Sequence, residues 1–142
     1  MINFVLDTDV IIAAMRSPTG ASAALIGSAL KKEMIMLANV PLFLEYEAKC
    51  TSAQHWTEAG LTHQQAQIFV DALAVLVKPV KTYYLWRPML RDPNDEMVLE
   101  AAVNGGADAI VTFNVKDFGN IPNRLNIEVI QPSKAIRRVR NG

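Results

Sequence analysis

Apolar residues fall along the chain in short uninterrupted runs that alternate with longer stretches of helical periodicity. Ile2 to Leu6 is one such run, stopping abruptly at Asp7, and it reads as a buried strand. Met34 to Ala38, Val80 to Trp86, Ala109 to Thr112 and Ile127 to Ile130 give four more strand candidates. After a turn at Ser17-Pro18-Thr19-Gly20, the stretch Ala21 to Lys32 brings Ala24, Leu25, Ser28 and Ala29 near one helical face. Pro41 suits the first turn of a helix running to about Cys50, since the N–H it lacks has no helical partner there. Thr62-His63-Gln64-Gln65 has capping-box spacing and opens a helix through Ile68, Phe69, Ala72, Leu73 and Leu76. Asp92-Pro93-Asn94-Asp95-Glu96 favours a helix start by capping and by the macrodipole. Val98, Leu99, Ala101 and Ala102 form that helix's buried face, Gly105-Gly106 ends it, and a short basic helix closes the chain.

Strands alternating with helices predict parallel pairing with helices on both faces of the sheet. The expectation is one three-layer α/β/α domain over residues 1–142 with a central, mostly parallel sheet. A hydrophobic fraction of 51% supplies a core and argues against disorder. Fourteen basic and fourteen acidic residues cancel, so a nucleic-acid contact would need a local patch, for which Lys134, Arg137, Arg138 and Arg140 are candidates. The single cysteine, Cys50, excludes an internal disulfide and a cysteine metal site, and His55 and His63 lack metal-pair spacing and read as surface residues. The first apolar run is too short for a signal peptide and no stretch reaches membrane-spanning length. A soluble, cytoplasmic chain is expected.

In open parallel sheets, ligands bind beyond the carboxyl ends of the strands. Polar residues just after each predicted strand are therefore the candidates for chemistry. They are Asp7-Thr8-Asp9 after the first, Glu45 and Glu47 in the helix after the second, and Asp92 and Asp95 at the start of the helix after the third. Thr112-Phe113-Asn114-Val115-Lys116-Asp117 comes after the fourth. Each acid taken singly has a structural role open to it, as a helix cap, a turn residue or a solvent-facing side chain. Four distant segments delivering acids to one edge is the stronger signal. Two carboxylates about 4 Å apart repel by roughly 4 kcal/mol at an effective dielectric of 20, so such a cluster raises its own pKa values or takes up a cation. Oxygen ligands alone favour Mg²⁺ or Mn²⁺ over zinc, and such an ion suits phosphodiester hydrolysis.

The segments Val5-Leu6-Asp7-Thr8-Asp9-Val10, Leu44-Glu45-Tyr46-Glu47, Arg91-Asp92-Pro93-Asn94-Asp95 and Ala107-Asp108-Ala109-Ile110-Val111-Thr112-Phe113-Asn114, in that order, resemble the PIN-domain family. Within it the likeness is to toxin-type ribonucleases of toxin–antitoxin pairs, from Met1 to about Gln131. The resemblance implies a three-layer fold, a divalent metal and endonucleolytic cleavage of RNA. Asp7 resembles the family's first acid, Glu45 the second and Asp95 the third. The fourth stays open: the family commonly has aspartate where Asn114 stands, and Asp117 lies three residues further on. Asp9 occupies a position where asparagine is more usual. By this reading Asp7 and Asp95 hold the metal and Glu45 orients or deprotonates the attacking water. Thr112 and Asn114 shape the site by hydrogen bonding, Asp117 completes the acidic ring, and Arg16 and Arg91 are phosphate contacts.

The family further implies a cognate antitoxin and a homodimer, the latter in keeping with apolar residues (Leu42, Phe43, Tyr46 and Tyr83-Tyr84-Leu85-Trp86) that are hard to bury together. Two other readings compete. A degenerate nuclease that binds RNA or protein without cutting would explain Asn114. A phosphatase of the haloacid dehalogenase type would use Asp7 as nucleophile and Asp9 as acid/base, with Thr112 and Lys116 in its later motifs. That mechanism lacks its late acidic pair here and gives Glu45 no task.

Overall fold

The computed structural model describes residues 1–82, 90 and 92–142. Strand β1 (Asn3–Leu6) runs through the middle of the sheet, with Phe4, Val5 and Leu6 fully buried. It pairs in parallel with β2 (Ile35–Ala38) on one side and β4 (Ala109–Val111) on the other. Strands β3 (Lys78–Pro79) and β5 (Glu128–Ile130) extend the sheet outward, giving the all-parallel order β3-β2-β1-β4-β5. A strand with neighbours on both sides and helices over both faces has no solvent side, which is why β1, β2 and β4 read as continuous apolar runs.

The helices expected at Ala21, Pro41, Thr62, Asp92 and Gln131 are present as α2 (Ala21–Leu30), α3 (Val40–Cys50), α5 (His63–Leu76), α6 (Pro93–Gly105) and α8 (Pro132–Asn141). The Thr62–Gln65 capping box forms with both reciprocal hydrogen bonds. Gly106 takes φ +64° to close α6, a conformation costly for residues with a Cβ. Three helices carry no clear signal in the sequence: α1 (Thr8–Arg16), α4 (Ala53–Glu58) and α7 (Ile121–Arg124), with a 3₁₀ turn at Val115–Phe118. The third strand begins earlier than expected, at Lys78, and pairs with Leu37 and Ala38, with the Val80 N–H donating to the Ala38 carbonyl at 2.9 Å. Both its residues are exposed, and Lys with Pro is the composition of a protected edge, not of an apolar run. The rest of that expected strand, Tyr83 to Trp86, lies outside the described residues. No helix among those described is long and apolar enough to cross a membrane.

The core also accounts for side chains expected at an interface. Leu42 and Tyr46 are fully buried and Phe43 is half-buried, so these three have a place in or against the core, while Tyr83-Tyr84-Leu85-Trp86 lies outside the described residues. Cys50 is buried and free, its thiol pushed up to about 12 by burial, and His55 is half-buried where an exposed residue was expected. Two buried polar contacts hold the helices to the carboxyl edge of the sheet. Tyr46 donates its hydroxyl to the Leu6 carbonyl, the last of β1. Asn39, directly after β2, accepts from the Leu42 N–H at 2.9 Å and donates to the Met97 carbonyl of α6 at 3.2 Å.

Replacing Tyr46 with Phe keeps the ring and deletes only that donor. The expected cost is about 1–2 kcal/mol of unfolding free energy, measured by urea denaturation with an unchanged far-UV spectrum. An unaltered urea midpoint would show that the contact contributes nothing to stability.

Candidate active site

Parallel register places the first residue beyond each strand at one edge. Asp7 comes after β1, Asn39 after β2, Thr112 after β4 and Gln131 after β5. The Asp7 N–H continues the ladder to the Val111 carbonyl at 2.9 Å and the Thr112 N–H to the Ile130 carbonyl at 3.0 Å. Asp7 and Thr112 therefore stand side by side.

Asp7 is at once the end of a strand and the N-cap of α1. One carboxylate oxygen accepts from the Thr8 N–H and the other from the Thr112 hydroxyl, both at 2.8 Å. Only 9% of the residue is exposed. Burial pushes its pKa up, the two hydrogen bonds pull it back, and the charges of Asp92 and Asp117 push it up again.

Asp9, near the start of α1, faces the same loop. Its Oδ2 accepts from the Phe113 N–H at 3.1 Å and the Asn114 side-chain amide at 3.2 Å, with the Thr112 hydroxyl at 3.4 Å. Its Oδ1 is buried with no hydrogen-bond partner among the described residues. Burial, and then the charge of Asp7, raise its pKa to about 6. Asn114 also donates its backbone N–H to the Thr112 hydroxyl at 3.0 Å. The two positions that depart from the family pattern thus meet across one hydrogen bond. The carboxylate sits on Asp9 and the amide on Asn114, an exchange that leaves the acid count at this corner unchanged.

Asp92 and Asp95 arrive on α6. Asp92 caps the helix by accepting from the Asn94 N–H at 2.9 Å, and Asp95 lies half-buried in the first turn. Burial comes first and the charges of Asp7, Asp92, Asp117 and Asp9 follow in raising the Asp95 carboxyl to about 6. Asp117, on the 3₁₀ turn, joins Asp92 and Asp95 in lining a cavity of about 520 Å³ that Phe118 and Ile121 also border.

The other expected site residues carry contacts of their own. Glu45 is half-buried on α3, and the contact the structure gives it is a 4.0 Å approach to Lys49. Arg16 pairs with Glu58 at 3.2 Å and lines a groove with Asp9 and Phe113. Arg91 lies outside the described residues. On the basic tail, Arg138 forms a two-pronged pair with Glu128 at 2.9 Å, while Lys134 and Arg137 are exposed, as is Arg140. Sequence reasoning passes over Asn39 and Tyr46. The place of Asn39 directly after a strand is the available signal, whereas a tyrosine on an apolar face gives none.

No Lys or Arg among the described residues ion-pairs with Asp7, Asp9, Asp92, Asp95 or Asp117. Nor do three acids stand close enough among them to form a closed ligand cage. What the edge offers a cation is oxygen donors, among them the unpartnered Asp9 Oδ1.

A sequence model described as a PIN domain matches residues 3–116. The chain belongs to the PIN-domain family. Comparison with curated proteins gives no match. Among solved structures, this PIN domain is similar to VapBC2 from Rickettsia felis bound to a DNA fragment from its promoter (TM-score 0.64, 16% identity, covering 92% of this chain and 98% of that one). It is also similar to VapBC-1 from nontypeable Haemophilus influenzae (TM-score 0.59, 15% identity, 93% and 99%). At these identities the likeness is one of fold. PIN domains are generally nucleases.

A carboxyl whose folded-state pKa is raised binds its proton more readily in the folded chain than in the unfolded one. Its contribution to stability is complete below the ordinary Asp value and is lost as pH rises through about 6. The metal-free PIN domain, held in chelator, should therefore melt at higher temperature at pH 5 than at pH 7.5. Asp95→Asn should raise the pH 7.5 melting temperature and leave that at pH 5 nearly unchanged. A flat profile by differential scanning calorimetry would contradict the electrostatic account.

Proposed function

We propose that this PIN domain is a Mg²⁺- or Mn²⁺-dependent endoribonuclease and the toxin of a toxin–antitoxin pair. The carrying observation is the convergence of Asp7, Asp9, Asp92, Asp95 and Asp117 on one sheet edge, where burial and neighbouring carboxylates raise Asp7, Asp9 and Asp95. A group of like charges around the buried Asp7, with no cation paired to it among the described residues, is costly unless a ligand supplies the positive charge. Asp7 and Asp95 would hold the ion, with Asp9, Asp92 and Asp117 adding negative potential around it. When bound, a divalent ion lowers the pKa of a coordinated water and offsets charge developing on phosphorus.

Thr112 fixes the Asp7 carboxylate, and Asn114 fixes both Thr112 and Asp9, so these side chains act by orientation. Glu45 is the proposed acceptor of the water's proton. Its ion-pair partner is Lys49, one turn further along α3, at 4.0 Å. RNA as substrate and an antitoxin as partner are supported by the motif resemblance and by similarity to VapBC toxin–antitoxin complexes. An apolar concavity beside β3, lined by Val40, Phe43, Leu44 and Val80 with Val40 and Leu44 largely exposed, gives a protein partner a surface to cover. The same concavity is where a second copy would pack if the toxin is a homodimer.

Reading Asn114 as a sign of lost catalysis loses force, because Asp9 supplies the carboxylate on the other side of the same hydrogen bond. A phosphatase with Asp7 as nucleophile is disfavoured by the burial of that side chain and the engagement of both its oxygens.

The purified chain should cleave single-stranded RNA with Mg²⁺ or Mn²⁺, stop on addition of EDTA and resume when metal is restored. Asp7→Asn and Asp95→Asn should each lose most activity with the fold intact by circular dichroism, and Glu45→Gln should lower kcat by about 10²–10⁴-fold. Cleavage by clean protein in the presence of chelator would overturn the metal-dependent reading.

A further inference from the structure

Helix α8 turns one face to the core and an opposite, wholly polar face to solvent. Pro132, Ala135 and Ile136 are buried, and Val139 is half-buried against the same core. Lys134, Arg137, Arg138 and Asn141 recur at i, i+3, i+4 and i+7, the spacing of a single helical face. With Gly142 they line a concavity of about 440 Å³. Lys134, Arg137 and Asn141 are exposed, and Arg140, on the flank of this face, is exposed too. The helix holds four of the chain's fourteen basic residues and none of its acidic ones, which leaves ten basic against fourteen acidic residues elsewhere.

The needs of the helix do not account for this stripe. The macrodipole favours Arg138 and Arg140 in the last turn but disfavours Lys134 in the first, where no acid offsets it. Like charges at i, i+3 and i, i+4 repel, so Lys134 with Arg137, Lys134 with Arg138 and Arg137 with Arg140 each destabilise an isolated helix. One acid relieves them in part. Glu128 on β5 accepts both prongs of Arg138 at 2.9 Å, and those bonds, with the charges of Arg138 and Lys134, hold its carboxyl below the ordinary glutamate value. Lys134, Arg137 and Arg140 have no ion-pair partner among the described residues.

The stripe also has a fixed place relative to the acidic edge. Helix α8 follows β5 directly through Gln131, and the Thr112 N–H binds the Ile130 carbonyl at 3.0 Å, so the helix starts from the strand beside the residue that fixes Asp7. Lys134 lies in the first turn, and the stripe extends from it to Asn141 over about 10 Å. Resting on the ribonuclease reading for its choice of ligand, we infer that this face of α8 is where the protein binds the RNA backbone, on strand leading away from the bond cut. An acidic edge repels phosphate, so affinity for a polyanion must come from a basic surface close by. No large apolar side chain is exposed on α8. A protein interface needs an apolar centre, whereas a nucleic-acid interface is polar and positively charged. Cations and an amide on an open face contact phosphates, which position a strand without reading its sequence.

The test uses the full chain in chelator, titrated into a labelled single-stranded RNA of mixed sequence, with anisotropy followed over a range of salt concentrations. Lys134→Gln and Arg137→Gln, both at exposed positions, should each weaken binding about fivefold at low salt. Each should also lower the slope of log affinity against log salt by about 0.7, and the double variant by about 1.4. Glu128→Gln should act the other way, releasing Arg138 to the strand and tightening binding, a gain that a merely structural stripe would not give. Lys78→Gln, on the strand at the opposite end of the sheet, should change neither quantity. Wild-type affinity and slope in the α8 variants, with RNA still cut when Mg²⁺ is added, would overturn the surface and leave the nuclease reading standing. A wild-type chain that binds no RNA in chelator, or binds polyglutamate more tightly than RNA, would overturn it as well. The expected losses in a chain that cuts no RNA with Mg²⁺ would uphold the surface and overturn the nuclease reading.

Discussion

The arrangement depends on one carboxylate placed where a parallel sheet ends. Asp7 closes the central strand, starts α1 and accepts hydrogen bonds from Thr8 and Thr112, so its position is fixed from both neighbouring elements. A charge in so buried a place is tolerated only with hydrogen bonds to its oxygens and a counter-charge nearby. The hydrogen bonds come from the chain. The charged groups that act on it, Asp92 and Asp117, are further aspartates, which worsen the imbalance.

Much of this is legible in the sequence because burial leaves a direct trace in composition. Strands covered on both faces must be apolar throughout, so β1, β2 and β4 stand out, and Asp7 and Thr112 are conspicuous as the polar residues that end two of them. The edge strand β3 cannot be read that way, since Lys78 and Pro79 face solvent and bury nothing. Helix α1 is hidden for the opposite reason. Its run Val10 to Met15 is apolar at every position, so no polar face marks a helical period, although only Val10, Ile11, Ala14 and Met15 are buried. Helix α7 and the 3₁₀ turn are a single turn each, too short for any period to show.

Within the site, residue type is easier to read than direction. The ordered acids mark the edge, but helical phase sets where Glu45 points, and the fold gives it Lys49 as its near neighbour. The exchange of Asp9 and Asn114 looks in sequence like two independent departures from a family pattern. In three dimensions the two residues meet in one hydrogen bond, Asn114 donating to Asp9. Tyr46 shows the converse limit. In the sequence it is one more apolar side chain, whereas in the fold it ties the last carbonyl of β1 to α3, directly before the residue on which the site turns.

The central claim is that these aspartates exist to hold a hard divalent cation, and cation binding tests it without reference to any substrate. Mn²⁺ titrated into the metal-free chain should bind saturably by isothermal calorimetry. Asp7→Asn and Asp95→Asn should each weaken that binding roughly tenfold or more, while Glu58→Gln, remote from the acidic edge and paired with Arg16, should leave it unchanged. A wild-type chain that takes up no Mn²⁺, or variants that bind it as tightly as wild type, would contradict the account.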